Sequence, residues 1–148
     1  MLYLLAVLIG VVAGLRAMTA PAVVAWGAAL GWIALDGTWA GFLGAAVTAW
    51  IFTVLALIEL VSDQLPRTPS RKLPVPFAAR ILSGAFCGAV LGMTGSSPVG
   101  GLVMGVIGAV IGTMGGYDVR MRLARAFGRD LPAALIEDVV AIAGGILI

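Results

Sequence analysis

The sequence predicts an all-α, polytopic membrane protein with about six short transmembrane helices. Hydrophobic residues make up 61% of its 148 residues and charged residues only 11%, whereas about 25% of the residues in a soluble domain are charged. Several apolar runs approach the roughly 20 residues that a helix needs to cross the hydrocarbon core. These runs are continuous and lack the alternation of apolar and polar residues expected of membrane strands, which favours helices. The length predicts a single integral membrane domain over residues 1–148.

Six apolar segments follow one another, separated by short connections that carry turn residues. In chain order they are residues 1–15, 20–35, 39–61, 75–93, 99–117 and 131–148. Gly37 lies in the connection after the second segment, several prolines lie between the third and fourth, and Pro98 precedes the fifth. We therefore expect each helix to run in the direction opposite to the one before it.

The first two segments meet at Gly14-Leu15-Arg16-Ala17-Met18-Thr19-Ala20-Pro21. Gly14 can end or bend the first helix, Thr19 is a good N-cap, and Pro21 suits the first turn of the second helix. No basic residue precedes the first segment, which disfavours a cleaved signal peptide. Arg16 is expected at the cytoplasmic end of short helices or inside a broken element. An arginine beside a helix N-terminus can bind an anion.

Carboxylates lie at the end of the third segment and within the sixth. Glu59 and Asp63 are four residues apart, a spacing that puts them on one helical face, while Glu137 and Asp138 interrupt the sixth segment. Each of these charges is costly in lipid. Two carboxylates close together hold a proton more readily near neutrality, which suits proton-coupled transport.

Glycines recur at four-residue spacing, which aligns them on one face of a helix. The stripes are Gly10 and Gly14; Gly27 and Gly31; Gly84, Gly88 and Gly92; Gly101 and Gly105; and Gly108, Gly112 and Gly116. Lipid provides no hydrophobic drive for helices to associate, so close backbone contact has to supply it. The stripes indicate helix interfaces, either in a tightly packed monomer or in a homo-oligomer. We favour the homo-oligomer because six short helices make a thin bundle.

All nine basic residues fall on the same side of the membrane if the six segments cross it in turn. Arg16 lies in the first connection, and the others lie in or near the third and fifth: Arg67, Arg71, Lys72, Arg80, Arg120, Arg122, Arg125 and Arg129. By the positive-inside rule, this distribution predicts a bacterial inner-membrane protein with both termini on the non-cytoplasmic side. The stretch 120–129 is basic and amphipathic and is expected to lie along the cytoplasmic interface.

A weak internal repeat relates the halves 1–66 and 75–148. The sequence Ala-Leu-Ile-Glu occurs at 56–59 and again at 134–137, and other short words recur at an offset of 77 to 78 residues. Two units of three crossings would have opposite orientations, which is the inverted repeat of many transporters. However, Glu59 and Glu137 both fall toward the cytoplasm on this map, and a strict inverted repeat does not explain that.

Two longer motifs carry a family resemblance. They are GLRxxTAP at 14–21 and ExxxDxLPxxPSR at 59–71, followed by Arg80. Together they resemble a bacterial family of small integral membrane proteins known only as a domain of unknown function, and the resemblance covers nearly the whole chain. It implies no substrate or reaction. It implies that the following residues belong to a family motif: Arg16, Thr19, Pro21, Glu59, Asp63, Leu65, Pro66 and Arg71. Gln64 stands where the family motif leads us to expect a lysine.

The candidate substrate- or ion-binding residues are polar side chains within or beside the apolar segments. They are Arg16, Thr19, Glu59, Asp63, Arg71, Arg80, Glu137 and Asp138. The first hypothesis is a small transporter or channel-like protein for an anionic or proton-coupled solute, with Arg16 and the Thr19 helix start binding the anion. The alternative for these residues is an internal ion-pair network, such as Arg16 or Arg80 with Glu59 or Glu137. Two other functions stay open, an enzyme acting on lipid headgroups and a structural or accessory subunit.

The residue types limit the chemistry. The chain has no histidine and one cysteine, Cys87, which excludes an internal disulfide, a classical zinc site and catalysis by a histidine base. We therefore expect no cofactor, no metal and no catalytic residue, and enzymatic activity is the less favoured hypothesis. The expected partners are the lipid bilayer, further copies of the chain and a small solute. Nucleic acid is not expected, because no soluble module is predicted.

Overall fold

The computed structural model describes residues 1–65 and 73–148, and over these residues the protein is all-helical. The helices are α1 (Leu2–Leu15), α2 (Thr19–Ala29), a 3-10 helix (Trp39–Gly44), α3 (Ala46–Ser62), α4 (Pro74–Met93), α5 (Pro98–Phe127) and α6 (Asp130–Leu147). Three of them, α1, α4 and α6, begin and end within one residue of the predicted segments. The other three segments differ from the prediction.

The prediction of one helix over 20–35 is wrong in its last third, because α2 ends at Ala29. Gly31 has a φ of +78°, a left-handed conformation that glycine adopts without strain. The backbone N–H groups of Trp32 and Ile33 both donate to the carbonyl oxygen of Gly27, over 2.8 and 3.1 Å. Gly27 and Gly31 therefore do not form a stripe on one helix.

The third and fifth segments also differ from the prediction. The third is divided into the 3-10 helix and α3, which are separated by Ala45 in an extended conformation (φ −76°, ψ 129°). The fifth is longer than predicted, since α5 continues to Phe127 and ends at Gly128 with a φ of +68°. The basic stretch at 120–127 is thus the end of a 30-residue helix rather than a separate interfacial segment.

Glycines bring α5 against both α1 and α4. A Cβ atom placed on Gly105 would lie 2.0 Å from the carbonyl oxygen of Gly84 on α4, and one on Gly108 would lie 2.1 Å from that of Val7 on α1. Only glycine fits at either position, so the backbone of α5 directly contacts the backbones of α4 and α1. The glycine stripes of these helices therefore form interfaces within one chain, as small residues do between membrane helices.

The helices run in alternating directions. At one end of the bundle, the hydroxyl of Tyr3 near the start of α1 lies 3.1 Å from that of Ser97, in the turn between α4 and α5. At the other end, the link between α1 and α2 meets the C-terminal end of α3 and the first half of α6. Charged side chains from α3, α4, α5, α6 and the α1–α2 connection gather at this second end.

Two helices, α4 and α5, are long and apolar enough to cross a membrane. The apolar helices α1, α2 and α3 have 14, 11 and 17 residues, so they reach only about 16 to 25 Å at about 1.5 Å per residue. The hydrocarbon core is about 30 Å thick. These lengths leave the predicted count of six crossings unconfirmed.

Candidate functional site

Arg16 lies in the three-residue link between α1 and α2, and its side chain is completely buried. The residue is extended (φ −142°, ψ 111°), while its backbone N–H still donates to the carbonyl oxygen of Val12 over 2.8 Å. The helical hydrogen bonding of α1 therefore stops at the residue whose guanidinium enters the protein. Arg16 is among the largest fully buried side chains of the described residues.

Two carboxylates pair with this one guanidinium. One Nη atom of Arg16 donates to Asp63, just after the end of α3, and the other donates to Asp138 in α6. The side-chain amide of Gln64 donates to the second oxygen of Asp138 over 3.3 Å. Hydrogen bonds between charged groups are short and roughly twice as strong as neutral ones. The guanidinium thereby joins α3 and α6 to the α1–α2 link.

The side chain of Glu59 binds the backbone of the same link. The two oxygens of its carboxylate accept hydrogen bonds from the backbone N–H groups of Ala17 and Met18, both over 2.8 Å. Glu59 and Asp63 therefore act from one face of α3 on neighbouring residues, in keeping with their predicted four-residue spacing. The prediction that Thr19 caps α2 is wrong, because Met18 occupies the cap position and no side-chain cap bond is made.

Hydroxyl groups on α4 and α5 donate to one carbonyl group at the end of α1 and to one in the link. The hydroxyl of Ser83 on α4 donates to the carbonyl oxygen of Ala17, and that of Thr113 on α5 donates to that of Gly14 over 3.2 Å. Both hydroxyl-bearing residues are buried. The link is thus fixed by α3, α4, α5 and α6 together.

Two further guanidinium groups border the cluster. The buried Arg80 of α4 has an Nη atom 3.7 Å from the carboxylate of Asp63. Arg120 of α5 lies 3.4 Å from the carboxylate of Glu137 and 2.6 Å from that of Asp130. An Nη atom of Arg120 also lies 3.5 Å from the carbonyl oxygen of Asp63, so this residue reaches both α6 and the end of α3.

Two buried donors, one in the link and one at the start of α2, have no hydrogen-bond partner. They are Nε of Arg16 and Oγ1 of Thr19, whose residues are 0% and 5% exposed. Leaving a buried polar group unsatisfied costs about 1–3 kcal/mol. Their residues immediately precede and follow Ala17 and Met18 in the sequence.

The structure brings most of the predicted site residues into one cluster. We call it the charge cluster, and it consists of Arg16, Glu59, Asp63, Arg80, Arg120, Glu137 and Asp138. Thr19 is buried at the start of α2, and its hydroxyl makes no hydrogen bond to the cluster. Arg71 lies outside the described residues. The predicted ion pairs of Arg16 with Glu59 or Glu137 are wrong, because Asp63 and Asp138 take those places. Residues 1–65 and 73–148 contain no group of three metal-ligating side chains.

The roles of Arg120 and Gln64 in the cluster were not predicted from the sequence. Arg120 continues the four-residue spacing of Gly108, Gly112 and Gly116, which would have placed it on the inner face of α5. No comparable signal marks Gln64, whose partner Asp138 is 74 residues away.

An apolar cavity of about 630 Å³ lies at the other end of the bundle. Its walls include Leu2, Ile9, Val24, Ile33 and Leu91. None of the charged residues of the cluster lines it, so the cavity and the charge cluster are separate features.

No protein-family model matches this chain, and no curated protein or solved structure matches it. The resemblance to a family of small integral membrane proteins therefore stays a prediction that depends on the two motifs alone.

Proposed function

We propose that this chain is a small multi-pass transporter of the bacterial inner membrane, and that the charge cluster is the site through which a small charged solute passes. The complete burial of Arg16 between Asp63 and Asp138 carries the proposal. Burying an ion pair costs several kcal/mol per ion in lost hydration, so such a pair is weak evidence for a purely stabilising role. Charged residues inside membrane helices mark ion and solute pathways.

The membrane topology is part of the proposal. Six helices that cross a membrane in turn have to alternate in direction, as these helices do. The shorter helices cross with little tilt or thin the bilayer locally. The end that holds the charge cluster also carries the basic end of α5, so the positive-inside rule assigns it to the cytoplasm and both termini to the other side. Helices α3 and α6 run in opposite directions, as two inverted three-helix units require.

The exposed apolar surface favours lipid contact and further copies of the chain. Only Ala49 and Ala56 are buried on α3, while Trp50, Ile51 and Val54 are each more than half exposed. Large apolar patches of this kind mark membrane or protein contacts. We include a homo-oligomer in the proposal on this ground.

A second candidate function is that of a structural or accessory subunit. It is favoured by the extent of pairing in the charge cluster, because Arg16 and Arg120 each bind two carboxylates. A network of this kind can hold helices in register without any solute. The two functions differ in whether purified protein moves ions.

Solute flux in proteoliposomes tests the proposal. Protein is reconstituted into vesicles that contain a pH-sensitive dye and is supplied with nitrate, acetate, potassium or sodium under an imposed pH gradient. We expect flux above that of empty vesicles for the wild type and for Asp36→Asn, which changes an exposed residue far from the cluster. Arg16→Lys keeps the charge but loses the forked geometry that two carboxylates need, and is expected to lose flux. Absence of flux in the wild type with all four ions contradicts transport and leaves the structural function.

A further inference from the structure

We infer that the apolar cavity at the end of the bundle opposite the charge cluster holds one acyl chain of a phospholipid from the surrounding membrane. The inference rests on the membrane location in the proposed function, but it does not depend on transport. The cavity has a volume of about 630 Å³. Protein interiors contain few voids larger than a water molecule, so a cavity of this size implies an occupant.

Two polar side-chain groups in the cavity wall already have partners within the protein. The indole N–H of Trp26 donates to the hydroxyl of Thr53 over 2.9 Å, and the hydroxyl of Thr94 donates to the carbonyl oxygen of Leu91 over 2.7 Å. Apart from these and the exposed Trp32, the described residues of the wall are aliphatic or glycine. A ligand with polar groups would lose its hydration without gaining hydrogen bonds, so the wall favours a hydrocarbon.

The cavity reaches from exposed apolar surface into the buried core. Leu30 and Ile146 at its mouth are 56% and 66% exposed, whereas Ile9, Val24 and Leu91 in its inner wall are at most 8% exposed. Because the mouth opens through apolar surface, a lipid tail can enter from the bilayer without passing polar groups. A flexible chain can therefore extend from the lipid to the core residues.

The volume of the cavity fits one acyl chain. A dry apolar cavity of about 150 Å³ holds one benzene molecule. This cavity is about four times as large, which gives room for roughly 24 carbon atoms. That is enough for one acyl chain of ordinary membrane length but not for both chains of a phospholipid. The second chain and the headgroup would therefore stay outside the mouth.

The surroundings of the mouth favour a membrane lipid over a second copy of the chain. Trp32 lines the mouth and is 75% exposed, and tryptophan is enriched at the membrane–water interface, where its ring lies at the level of the headgroups. A second copy is the other apolar partner. However, a packed helix cannot enter a cavity whose inner wall consists of core residues such as Ile9 and Val24, whereas a single hydrocarbon chain can.

Titration with phosphatidylcholines of rising chain length tests the site. The delipidated full chain is kept in one detergent, and bound lipid per chain is counted by native mass spectrometry for the wild type, Ala34→Phe, Val24→Phe and the control Ala46→Phe. Ala34 and Val24 line the cavity, whereas Ala46 is exposed at the start of α3 and does not line it. Phosphatidylcholine has no net charge, so attraction to the basic end of α5 contributes little.

We expect one phosphatidylcholine per wild-type chain, with an affinity that rises by up to about fourfold per added methylene until the cavity is filled. Ala34→Phe and Val24→Phe should bind at least about tenfold more weakly, because the ring takes space that the acyl chain needs, while Ala46→Phe should bind like the wild type. Palmitate, a free fatty acid, should bind more weakly than the phospholipid because it has no second chain to cover the apolar mouth.

An affinity that does not depend on chain length, or equal binding by Ala34→Phe and Ala46→Phe, overturns the site. If Val24→Phe does not fold, the exposed Ala34 position and the chain-length series decide the question. Tighter binding of palmitate would assign the cavity to a free fatty acid, and wild-type dimers that Ala34→Phe dissociates would assign it to a second copy; either result refutes a phospholipid. Ion flux through the charge cluster is measured separately, so the lipid site and the transport proposal fail independently.

Discussion

Replacing Gly105 by alanine tests the backbone contact that holds α4 against α5. The added Cβ atom would lie 2.0 Å from the carbonyl oxygen of Gly84 and 3.0 Å from the Cα atom of Gly88. Both are backbone atoms, so the two helices have to separate. Overpacking costs about 1–3 kcal/mol, and the upper end applies because no side chain can rotate away. Alanine offsets about 1 kcal/mol through its helix propensity, which leaves a net loss of about 2 kcal/mol.

Gly115→Ala is the matched control on the same helix, because no atom lies within 4 Å of its Cβ position. Unfolding is followed by circular dichroism in mixed micelles with a rising fraction of SDS. We expect Gly105→Ala to unfold at a lower SDS fraction than the wild type, and Gly115→Ala to unfold at the same fraction or a higher one. Equal unfolding of the two variants would show that Gly105 does not hold α5 in direct backbone contact with α4.

Two further predictions concern the buried charge and the topology. Arg16→Met leaves two carboxylates without their partner and is expected to lower the free energy of unfolding by about 3–5 kcal/mol, part of which Asp138→Asn should restore; an unchanged stability in the same SDS assay would contradict the pairing. For the topology, single cysteines are placed by Asp36→Cys or Arg125→Cys in a Cys87→Ala background. An impermeant thiol reagent should label the cysteine at 36 in intact cells and that at 125 only after permeabilisation, and the reverse pattern would show that the predicted orientation is wrong.

Helix positions were predictable where apolar runs end in turn residues. Segments 75–93 and 131–148 match α4 and α6 to within one residue because prolines or charges stand at their boundaries. The stretch 30–45 is apolar almost throughout, and hydropathy does not separate an apolar turn and a 3-10 helix from an α-helix. The end of α5 was missed for the opposite reason. A polar helix and an interfacial segment have the same composition, and no helix breaker stands between Tyr117 and Gly128.

The membership of the charge cluster was more predictable than its pairing. Charged residues within apolar segments are rare, so Arg16, Asp63 and Asp138 stood out from the sequence alone. Their mutual contacts span 47 and 122 residues of chain, and no local spacing encodes which carboxylate meets which guanidinium. The use of Glu59 as a ligand of backbone amides is likewise set by how α3 packs beside the α1–α2 link.

The charge cluster is tested most directly as a transport site by comparing ion flux through Asp138→Asn with flux through Asp36→Asn in the same proteoliposomes. Both variants exchange one carboxylate for an amide of equal size, but only Asp138 pairs with Arg16. We predict that Asp138→Asn lowers the transport rate at least about tenfold, equivalent to about 1.4 kcal/mol in the barrier, while Asp36→Asn transports like the wild type. Equal rates for the two variants would contradict the claim that the charge cluster is the transport site.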